Sequence, residues 1–453
     1  MRTSVIKKPT LLLDGLRSHP PATLAIYGLC IFIGLISLYN MIMAVTVRAS
    51  AGSVALAGDP NDPLYELGTS LGFWGMVLFG FNFVLATRWR WVERLFEGLD
   101  QVYRVHGLLG RWTVSLILLH LVILTIQALP DWGLVANYVI PGLDLSYTLG
   151  GLGLILLTLL VVATLWVRFP YQRWLASHRW MGGAYILGGA HAIVAQGDWY
   201  LWLMTLGGGY AWIYSVFLYR RFGPHHHGSI AQVVPLHGVT ELILQLEQPH
   251  SFQPGQFVWL RITKAAAGLS DAAHPFSLSA LLDAHTVRLS AKQLGSYTQQ
   301  LPALEPGDRV TMYGSYGYFG ARGLAHQGAA IWIAGGIGIT PFLSMVRHLA
   351  EDKAVGPKAI LLIWAVREDA DAVYLEELHS LAARVPQLRI QLHVSTTDGR
   401  LSATQIAAMV KGELAEHQLL LCGPVPMMQA LRSQFRAGGV PKRQIISEEF
   451  ALR

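Results

Sequence analysis

Four histidines lie in the apolar first half of the chain, and they fall into two pairs of similar spacing. His106 and His120 bound one apolar run, whereas His178 and His191 belong to another. Helical rise separates the first pair by about 21 Å and the second by about 20 Å. An imidazole in hydrocarbon costs free energy unless it has a partner, a metal or a proton path. The matched spacing predicts two bis-histidine haem sites at two heights in a helix bundle.

Each of these histidines, taken alone, also fits an ordinary interfacial or bundle-core residue. Around an ideal helix axis, His106 and His120 differ by about 40°, but His178 and His191 differ by about 140°. One straight helix therefore does not aim the second pair at one neighbour, although its glycines offer a place for distortion. Arg111, about 7.5 Å along the helix from His106, is predicted either to pair with a haem propionate or to reach water.

The first 222 residues must supply the helices that position these side chains. Hydrophobic residues make up 53% of the chain and charged residues only 14%, which is too apolar for an ordinary soluble enzyme. Six apolar windows are long enough to span a bilayer. They cover about 22–47, 69–87, 105–129, 146–167, 178–196 and 199–219.

Positive charge is distributed unevenly between the ends of these windows. Thirteen of the fifteen Lys and Arg residues before residue 223 lie at alternate ends, in 1–21, 88–104, 168–179 and 220–221. The positive-inside rule places those ends in the cytoplasm. We therefore predict an integral protein of the inner or plasma membrane, with both termini and the second half cytoplasmic. Cys30 and Cys422 cannot pair in this topology, and no basic stripe indicates nucleic acid.

The sequence changes character after residue 222. Short strand-like runs separated by turns such as QPGQ and EPGD predict a small antiparallel barrel. Alternating strands and helices follow, which predicts a parallel sheet. In AGGIGITPFLSM, Gly335, Gly336 and Gly338 follow a strand, and Pro341 stands where a helix begins. Such a loop presents backbone N–H groups to a pyrophosphate, and an ordinary tight turn is the alternative.

Together these features resemble the ferric reductase and NADPH oxidase superfamily over nearly the whole chain. The resemblance implies a six-helix transmembrane haem domain over 1–222, an FAD-binding β-barrel over 228–325 and an NAD(P)H-binding α/β domain over 326–453. It also implies that His106 and His178 bind the inner haem b, and that His120 and His191 bind the outer one.

Short motifs carry the resemblance in the second half. HPFSLSA resembles the flavin motif, KQLGSYTQQL resembles the segment that holds the FAD pyrophosphate, and AGGIGITPFLSM and LCGPVPMM resemble the two nicotinamide-dinucleotide motifs. The aromatic residue in EEFALR resembles the one that stacks on the flavin. The implied catalytic residues are Phe450 and Cys422. The implied cofactor-binding residues are His274, Pro275, Phe276, Ser277, Gly295, Ser296, Thr298, Gly335, Gly336, Gly338, Thr340, Gly423 and Pro424.

Several of these residues also fit ordinary structural roles. Phe450 fits a packed C-terminal aromatic, Cys422 an inert buried thiol and Ser277 a strand residue bonded to backbone. Arg367, at the end of AILLIWAVRE, is predicted to bind the 2′-phosphate that distinguishes NADPH from NADH. A solvated surface arginine is the alternative there, and NADH is the alternative electron donor.

The predicted activity is electron transfer across the membrane. FAD takes two electrons from NADPH as a hydride and releases them singly to the inner haem, the outer haem and an acceptor on the outer face. Oxygen, giving superoxide, and ferric iron are both candidate acceptors, and a separate periplasmic protein is the alternative. The outer loops carry an acidic set that would attract ferric cations or simply accompany the positive-inside bias. Its members are Asp59, Asp62, Glu66, Asp131 and Asp144.

Overall fold

The computed structural model describes residues 62–264, 269, 272–351 and 356–448, together with seven isolated positions before residue 43. The predicted first span therefore lies largely outside the described residues, and Cys30 and Phe450 lie wholly outside them. The chain divides into two compact units, and the later boundary between them falls at Gly223–Pro224.

The first unit is helical. Among the described residues, four helices are long and apolar enough to cross a membrane, so the predicted number of six is not confirmed. The helices are α1 (Pro63–Ala86), α2 (Arg90–Phe96), α3 (Leu99–Ala128), α4 (Trp132–Val139), α5 (Leu145–Leu165), α6 (Tyr171–Arg179), α7 (Met181–Gln196), α8 (Trp199–Ile213) and α9 (Tyr219–Phe222), with a π-helical turn over Tyr214–Leu218 between the last two.

The predicted span 178–196 is divided between two helices. α6 ends at Arg179, and the 16-residue α7 begins at Met181. The N–H group of the intervening Trp180 bonds the Ser177 carbonyl at 3.0 Å, so the chain tightens at this point. His178 and His191 consequently lie on different helices, which removes the 140° mismatch expected for one straight helix.

Aspartates begin three of the helices in this unit. The carboxylates of Asp62, Asp131 and Asp144 accept hydrogen bonds of 2.9–3.1 Å from backbone N–H groups two or three residues ahead. These bonds satisfy donors that the first helical turn leaves unpaired. Three of the five acidic residues predicted in the outer loops are therefore helix caps.

The second unit begins with a closed antiparallel barrel, which we call the barrel lobe. Its strands pair in the order β1-β2-β5-β4-β3-β6, and closure leaves no unpaired edge. Alternate side chains fill the interior, among them the fully buried Leu244, Leu260, Leu278 and Met312. The strands are β1 (His225–Leu236), β2 (Val239–Leu246), β3 (Phe257–Lys264), β4 (His274–Leu281), β5 (Thr286–Lys292) and β6 (Arg309–Tyr316).

A parallel five-stranded sheet with helices follows, which we call the sheet lobe. Its order is β11-β10-β7-β8-β9, so the chain builds outward from β7 to β9 and then returns to the other side of β7. The point where strand order reverses lies between β7 and β10. The elements are α10 (Phe319–Leu324), β7 (Ala329–Gly335), α11 (Thr340–Glu351), β8 (Ala359–Val366), α12 (Leu375–Ala382), β9 (Leu388–Val394), α13 (Ser395–Asp398), α14 (Ala403–Met409), β10 (Gln418–Cys422), α15 (Val425–Ala437) and β11 (Ile445–Glu448).

The start of α7 offers a test of helix packing. A Cβ on Gly182 would overlap the indole of Trp212, whose Nε1 donates to the Arg179 carbonyl at 2.9 Å. Overpacking of this kind costs about 1–3 kcal/mol, so Gly182→Ala should lower the melting temperature of the detergent-solubilised protein. Gly183→Ala is the matched control, because its Cβ would meet its nearest neighbour at 3.5 Å. Equal melting temperatures for the two variants would contradict this packing.

Candidate functional site: paired histidines and a dinucleotide-binding edge

The four histidines of the membrane unit form two facing pairs. The ring centroids of His106 and His178 are 6.0 Å apart, and those of His120 and His191 are 6.3 Å apart. Two imidazole nitrogens bound to opposite sides of one metal ion by bonds of about 2.0 Å would place the centroids about 6.4 Å apart. Both separations therefore fit a single metal ion between the rings.

α1 fixes two of these rings. The Nδ1–H group of His106 donates to the Asn82 carbonyl at 3.2 Å, and that of His120 donates to the Gly68 carbonyl at 2.7 Å. A proton held on Nδ1 leaves the Nε2 lone pair available to a metal ion. Metal-ligating histidines typically have such a partner on the other ring nitrogen.

The other two rings are oriented by α5. His191 donates from Nδ1 to the Ser146 carbonyl at 2.9 Å. His178 has its Nδ1 3.4 Å from Oγ1 of Thr164, whose own hydroxyl proton is donated to the Leu160 carbonyl. The Thr164 oxygen therefore accepts the Nδ1 proton of His178. All four imidazoles share the same tautomer, with Nε2 available.

Glycines bring helix backbones against the pair formed by His120 and His191. A Cβ on Gly72 would lie 2.8 Å from Nδ1 of His120, and one on Gly150 would lie 3.0 Å from the ring of His191. Each ring is thus in close contact with a neighbouring helix. Arg111 has an exposed side chain on α3, and its pairing with a haem propionate stays a prediction.

In the sheet lobe, β7 and β10 end side by side, and glycines follow both. A Cβ on Gly338 would overlap the Cys422 carbonyl, and one on Gly423 would lie 2.9 Å from the Gly335 Cα. Gly336 has φ of +53°, which L-residues rarely adopt. Only glycine therefore fits where these two loops meet at the strand-order reversal, where α/β sheets bind their ligands.

The loop after β7 leads directly into α11. A 3₁₀ turn over Gly336–Ile339 precedes Thr340, whose hydroxyl donates to the Ile337 carbonyl at 3.0 Å. Trp364 on β8 donates from Nε1 to the Gly336 carbonyl at 2.9 Å, which fixes the loop from the side. The unpaired N–H groups of a helix start favour anions such as a pyrophosphate.

A buried thiol and a buried carboxyl lie side by side at the same edge. Cys422 is fully buried and is the register partner of Glu448 on β11. Burial raises the pKa of both groups well above their usual ranges, which favours the neutral thiol and the neutral carboxylic acid. Sequence reasoning missed Glu448, although a glutamate that ends a short apolar strand is itself unusual.

The predicted flavin motif occupies the start of β4. Phe276 and Ser277 are buried, and Pro275 pairs with Trp259 on β3. The ring of His274 stacks on Tyr297, with centroids 3.7 Å apart. This stack brings together two segments that the sequence assigned to FAD.

Tyr297 lies inside the second of those segments and was not predicted. The turn around it is held by Thr298, whose Oγ1 accepts the backbone N–H groups of Leu294 and Gly295 at 3.0 and 3.1 Å. Gly295 and Ser296 are exposed within this turn. Burial raises the pKa of Tyr297 to about 12 and lowers the pKa of His274, so the stacked pair is neutral near pH 7.

A lysine of the barrel lobe reaches the glycine loop of the sheet lobe. Nζ of Lys292, the last residue of β5, lies 3.8 Å from where a Cβ on Gly336 would be. Sequence reasoning missed this residue because only the fold brings β5 against the loop. Arg367 follows β8 at the same sheet edge, and its side chain is exposed.

Two protein families match parts of this chain. Residues 71–189 match the ferric reductase like transmembrane component, and residues 332–433 match the oxidoreductase NAD-binding domain. This combination confirms the resemblance to the ferric reductase and NADPH oxidase superfamily, and it makes the protein a membrane-integral oxidoreductase. The predicted fold class is confirmed as a ferric-reductase-type helical region followed by a β-barrel and an α/β reductase module.

Individual relatives match a little under half of the chain. The chain is 28% identical over 241 residues to the ferredoxin–NAD(P)+ reductase component of a Pseudomonas putida naphthalene 1,2-dioxygenase system, covering 49% of this chain and 67% of that protein. It is 30% identical over 208 residues to the toluate 1,2-dioxygenase electron transfer component of the same species, covering 44% and 59%. The chain thus spans about three fifths to two thirds of the length of these relatives.

A solved structure also aligns with the chain. The flavohemoglobin of Malassezia yamatoensis, determined with FAD and haem, aligns with a TM-score of 0.46 at 19% identity, covering 72% of this chain and 92% of its own.

The position of Lys292 generates a binding prediction. An ammonium that contacts a pyrophosphate contributes about 1.5–3 kcal/mol, so Lys292→Met should weaken NAD(P)H binding about 10-fold or more. Titration of the purified protein with NADP+ and NAD+ measures this change. Lys358→Met is the matched control, because Lys358 directly precedes β8 at the opposite edge of the sheet. Equal affinities in the two variants would place Lys292 outside the dinucleotide site.

Proposed function

We propose that this protein is a transmembrane NADPH-dependent oxidoreductase that delivers electrons to an acceptor on the outer face of the membrane. The paired imidazoles carry the proposal, because both pairs have the separation that two ligands of one haem iron require. His106 and His178 would hold the inner haem b, and His120 and His191 the outer one. When bound, FAD would convert a hydride into single electrons and the haems would carry them across the membrane.

The residues of the second unit would bind the donor side of this system. His274, Pro275, Phe276 and Ser277 would line the flavin, and the turn around Thr298 would face its pyrophosphate. The glycine loops after β7 and β10 would hold the NADPH pyrophosphate against backbone N–H groups. Cys422 and Phe450 would border the place where nicotinamide meets flavin, and the neutral thiol of Cys422 would exclude water there without acting as a nucleophile.

The chain's own charges support an orientation. The clusters of Lys and Arg at alternate helix ends would keep both termini and the FAD and NADPH sites in the cytoplasm. NADPH would then be supplied from the cytoplasm, and the acceptor would be met outside.

The acceptor is oxygen, giving superoxide, or ferric iron. Because two histidines would hold each haem, the haems would supply single electrons to either acceptor without binding it. Asp62, Asp131 and Asp144 cap helices, so these carboxylates give no specific support for attraction of ferric cations. Delivery to a separate periplasmic protein is the second candidate.

One experiment separates these acceptors. The full-length protein is reduced with NADPH under argon and mixed in parallel with oxygenated buffer and with a ferric chelate, while absorbance follows reoxidation. Fast reoxidation by oxygen with superoxide released identifies an oxidase, and fast reoxidation by the chelate alone identifies a ferric reductase. Slow reoxidation by both favours the periplasmic protein acceptor. Failure of NADPH to reduce the protein contradicts the proposed function.

Removal of one outer ligand tests the order of the two sites. His120→Ala should lose one of two haems and most of the reduction of an outer acceptor, while NADPH still reduces the flavin. Leu119→Ala is the control, because Leu119 neighbours His120 on α3 with 44% of its surface exposed. Haem content and acceptor reduction in membranes measure the change. Wild-type acceptor reduction in His120→Ala would contradict a path through this pair.

The choice of dinucleotide is tested at the end of β8. Loss of a charged hydrogen bond costs about 1.5–3 kcal/mol, so Arg367→Ala should raise the KM for NADPH about 10-fold or more and leave the KM for NADH unchanged. Arg389→Ala, on the exposed face of β9, is the control. An unchanged NADPH to NADH preference in Arg367→Ala would remove Arg367 from the 2′-phosphate site.

A further inference from the structure

A partly buried cluster of charged side chains joins the barrel lobe to the sheet lobe. Arg288 on β5 donates from Nη1 and Nη2 to Oε2 and Oε1 of Glu377 on α12, at 2.9 and 2.8 Å. Arg347 on α11 donates from Nη2 to Oε1 of the same glutamate at 2.7 Å. Glu241 on β2 lies 3.5 Å from Nη1 of Arg288. We call these four residues the Glu377 cluster.

Glu377 is the centre of this cluster. Burial alone would raise its pKa, but the hydrogen bonds and charges of Arg288 and Arg347 outweigh burial and hold the pKa below its usual range. The carboxylate is therefore ionised at neutral pH. Two parallel hydrogen bonds between a guanidinium and a carboxylate fix relative orientation as well as distance.

The barrel lobe holds its own side of the contact rigid. Nε of Arg288 donates to Oγ of Ser279 on β4 at 3.2 Å, and Ser290 donates to the same oxygen at 3.1 Å. Only 11% of the Arg288 side chain is exposed, which leaves it little freedom to choose another partner. Glu377 thus binds a guanidinium group that Ser279 of the barrel lobe already holds in one orientation.

The cluster connects the two predicted cofactor sites. α11, which carries Arg347, starts at the glycine loop that would hold NADPH. β4, which carries Ser279, starts with the flavin motif at His274. Ser344 also lies on α11. Its Oγ accepts a hydrogen bond of 2.7 Å from the Gly255 N–H group of the barrel lobe, which adds a second fixed contact between the lobes. A shift at Glu377 would therefore change the offset between nicotinamide and flavin.

We propose that Arg288 and Glu377 are positioning residues that hold the sheet lobe at the offset from the barrel lobe that hydride transfer requires. This inference rests on the proposed NADPH and FAD sites. Hydride transfer needs reacting atoms about 3–3.5 Å apart, and a misplacement of about 1 Å costs up to about 100-fold in rate. Neither residue needs to touch a cofactor to have this effect.

The test uses the full-length detergent-solubilised protein loaded with FAD. Stopped-flow absorbance under argon measures the limiting rate of flavin reduction at saturating NADPH. Glu377→Gln and Arg288→Met should each lower this rate about 10- to 100-fold, with FAD content and NADP+ affinity unchanged. Replacing hydrogen by deuterium at the transferred position of NADPH should slow these variants more than the wild type.

Glu351→Gln is the matched control. Like Glu377→Gln, it removes one negative charge beside Arg347, because Oε1 of Glu351 lies 3.3 Å from Nη1 of Arg347. The Glu351 side chain is 45% exposed, and its described ion pair is with Arg347 rather than with a residue of the barrel lobe. Its limiting rate should equal the wild-type rate. The double variant Arg288→Met, Glu377→Gln should be no slower than the slower single variant, because both remove one shared contact.

A second variant separates positioning from folding. Arg288→Lys keeps the positive charge but loses the two-pronged contact, so it should retain FAD and NADP+ binding and still reduce flavin slowly. In Arg288→Lys, the rate of amide hydrogen exchange in α11 and α12 should also rise, measured in the absence of NADPH. Rates in Glu377→Gln and Arg288→Lys within about twofold of Glu351→Gln would overturn the inference. A wild-type flavin that NADPH does not reduce would overturn the proposed function itself, whatever the variants show.

Discussion

The cost of placing a polar ring in hydrocarbon is the constraint on which the membrane unit depends. Four imidazoles lie inside an apolar bundle, and each Nδ1–H group has a partner on α1 or α5. With Nδ1 engaged, Nε2 is the nitrogen of each ring that is left for a metal ion, and the ring centroids of each pair have a separation that suits one ion. Gly72 and Gly150 let neighbouring helices approach two of the rings, and the division at Trp180 puts His178 and His191 on separate helices.

In the second unit, two lobes with separate hydrophobic cores must be held in one relative position. The closed barrel and the parallel sheet have distinct hydrophobic cores. Between them, Val239 of β2 packs in the core of the sheet lobe, and hydrogen bonds from Arg288 and the Gly255 N–H group fix direction. These hydrogen bonds therefore lie between the two lobes, where they would set the offset between nicotinamide and flavin.

Features that depend on local periodicity could be predicted from the sequence. The histidine spacing predicted two facing pairs, and strand and turn patterns predicted the barrel, the sheet and the loop at Gly335. Contacts between distant segments could not be predicted, because no local pattern encodes them. Lys292 reaches Gly336, Tyr297 stacks on His274, and Glu377 binds Arg288 only after the strands are assembled. The break at Trp180 was missed because the predicted span began at His178, two residues before the break, and its apolar part continues without interruption after Trp180.

The haem content of the purified wild-type protein tests the central claim most directly. We expect two haem b groups per chain, with a reduced-minus-oxidised absorbance spectrum of low-spin iron that carries histidine on both sides. Added carbon monoxide should leave this spectrum unchanged, because no axial position is open. Protein that folds and binds FAD but contains no haem, or whose reduced haem binds carbon monoxide rapidly, would contradict the assignment of the two histidine pairs.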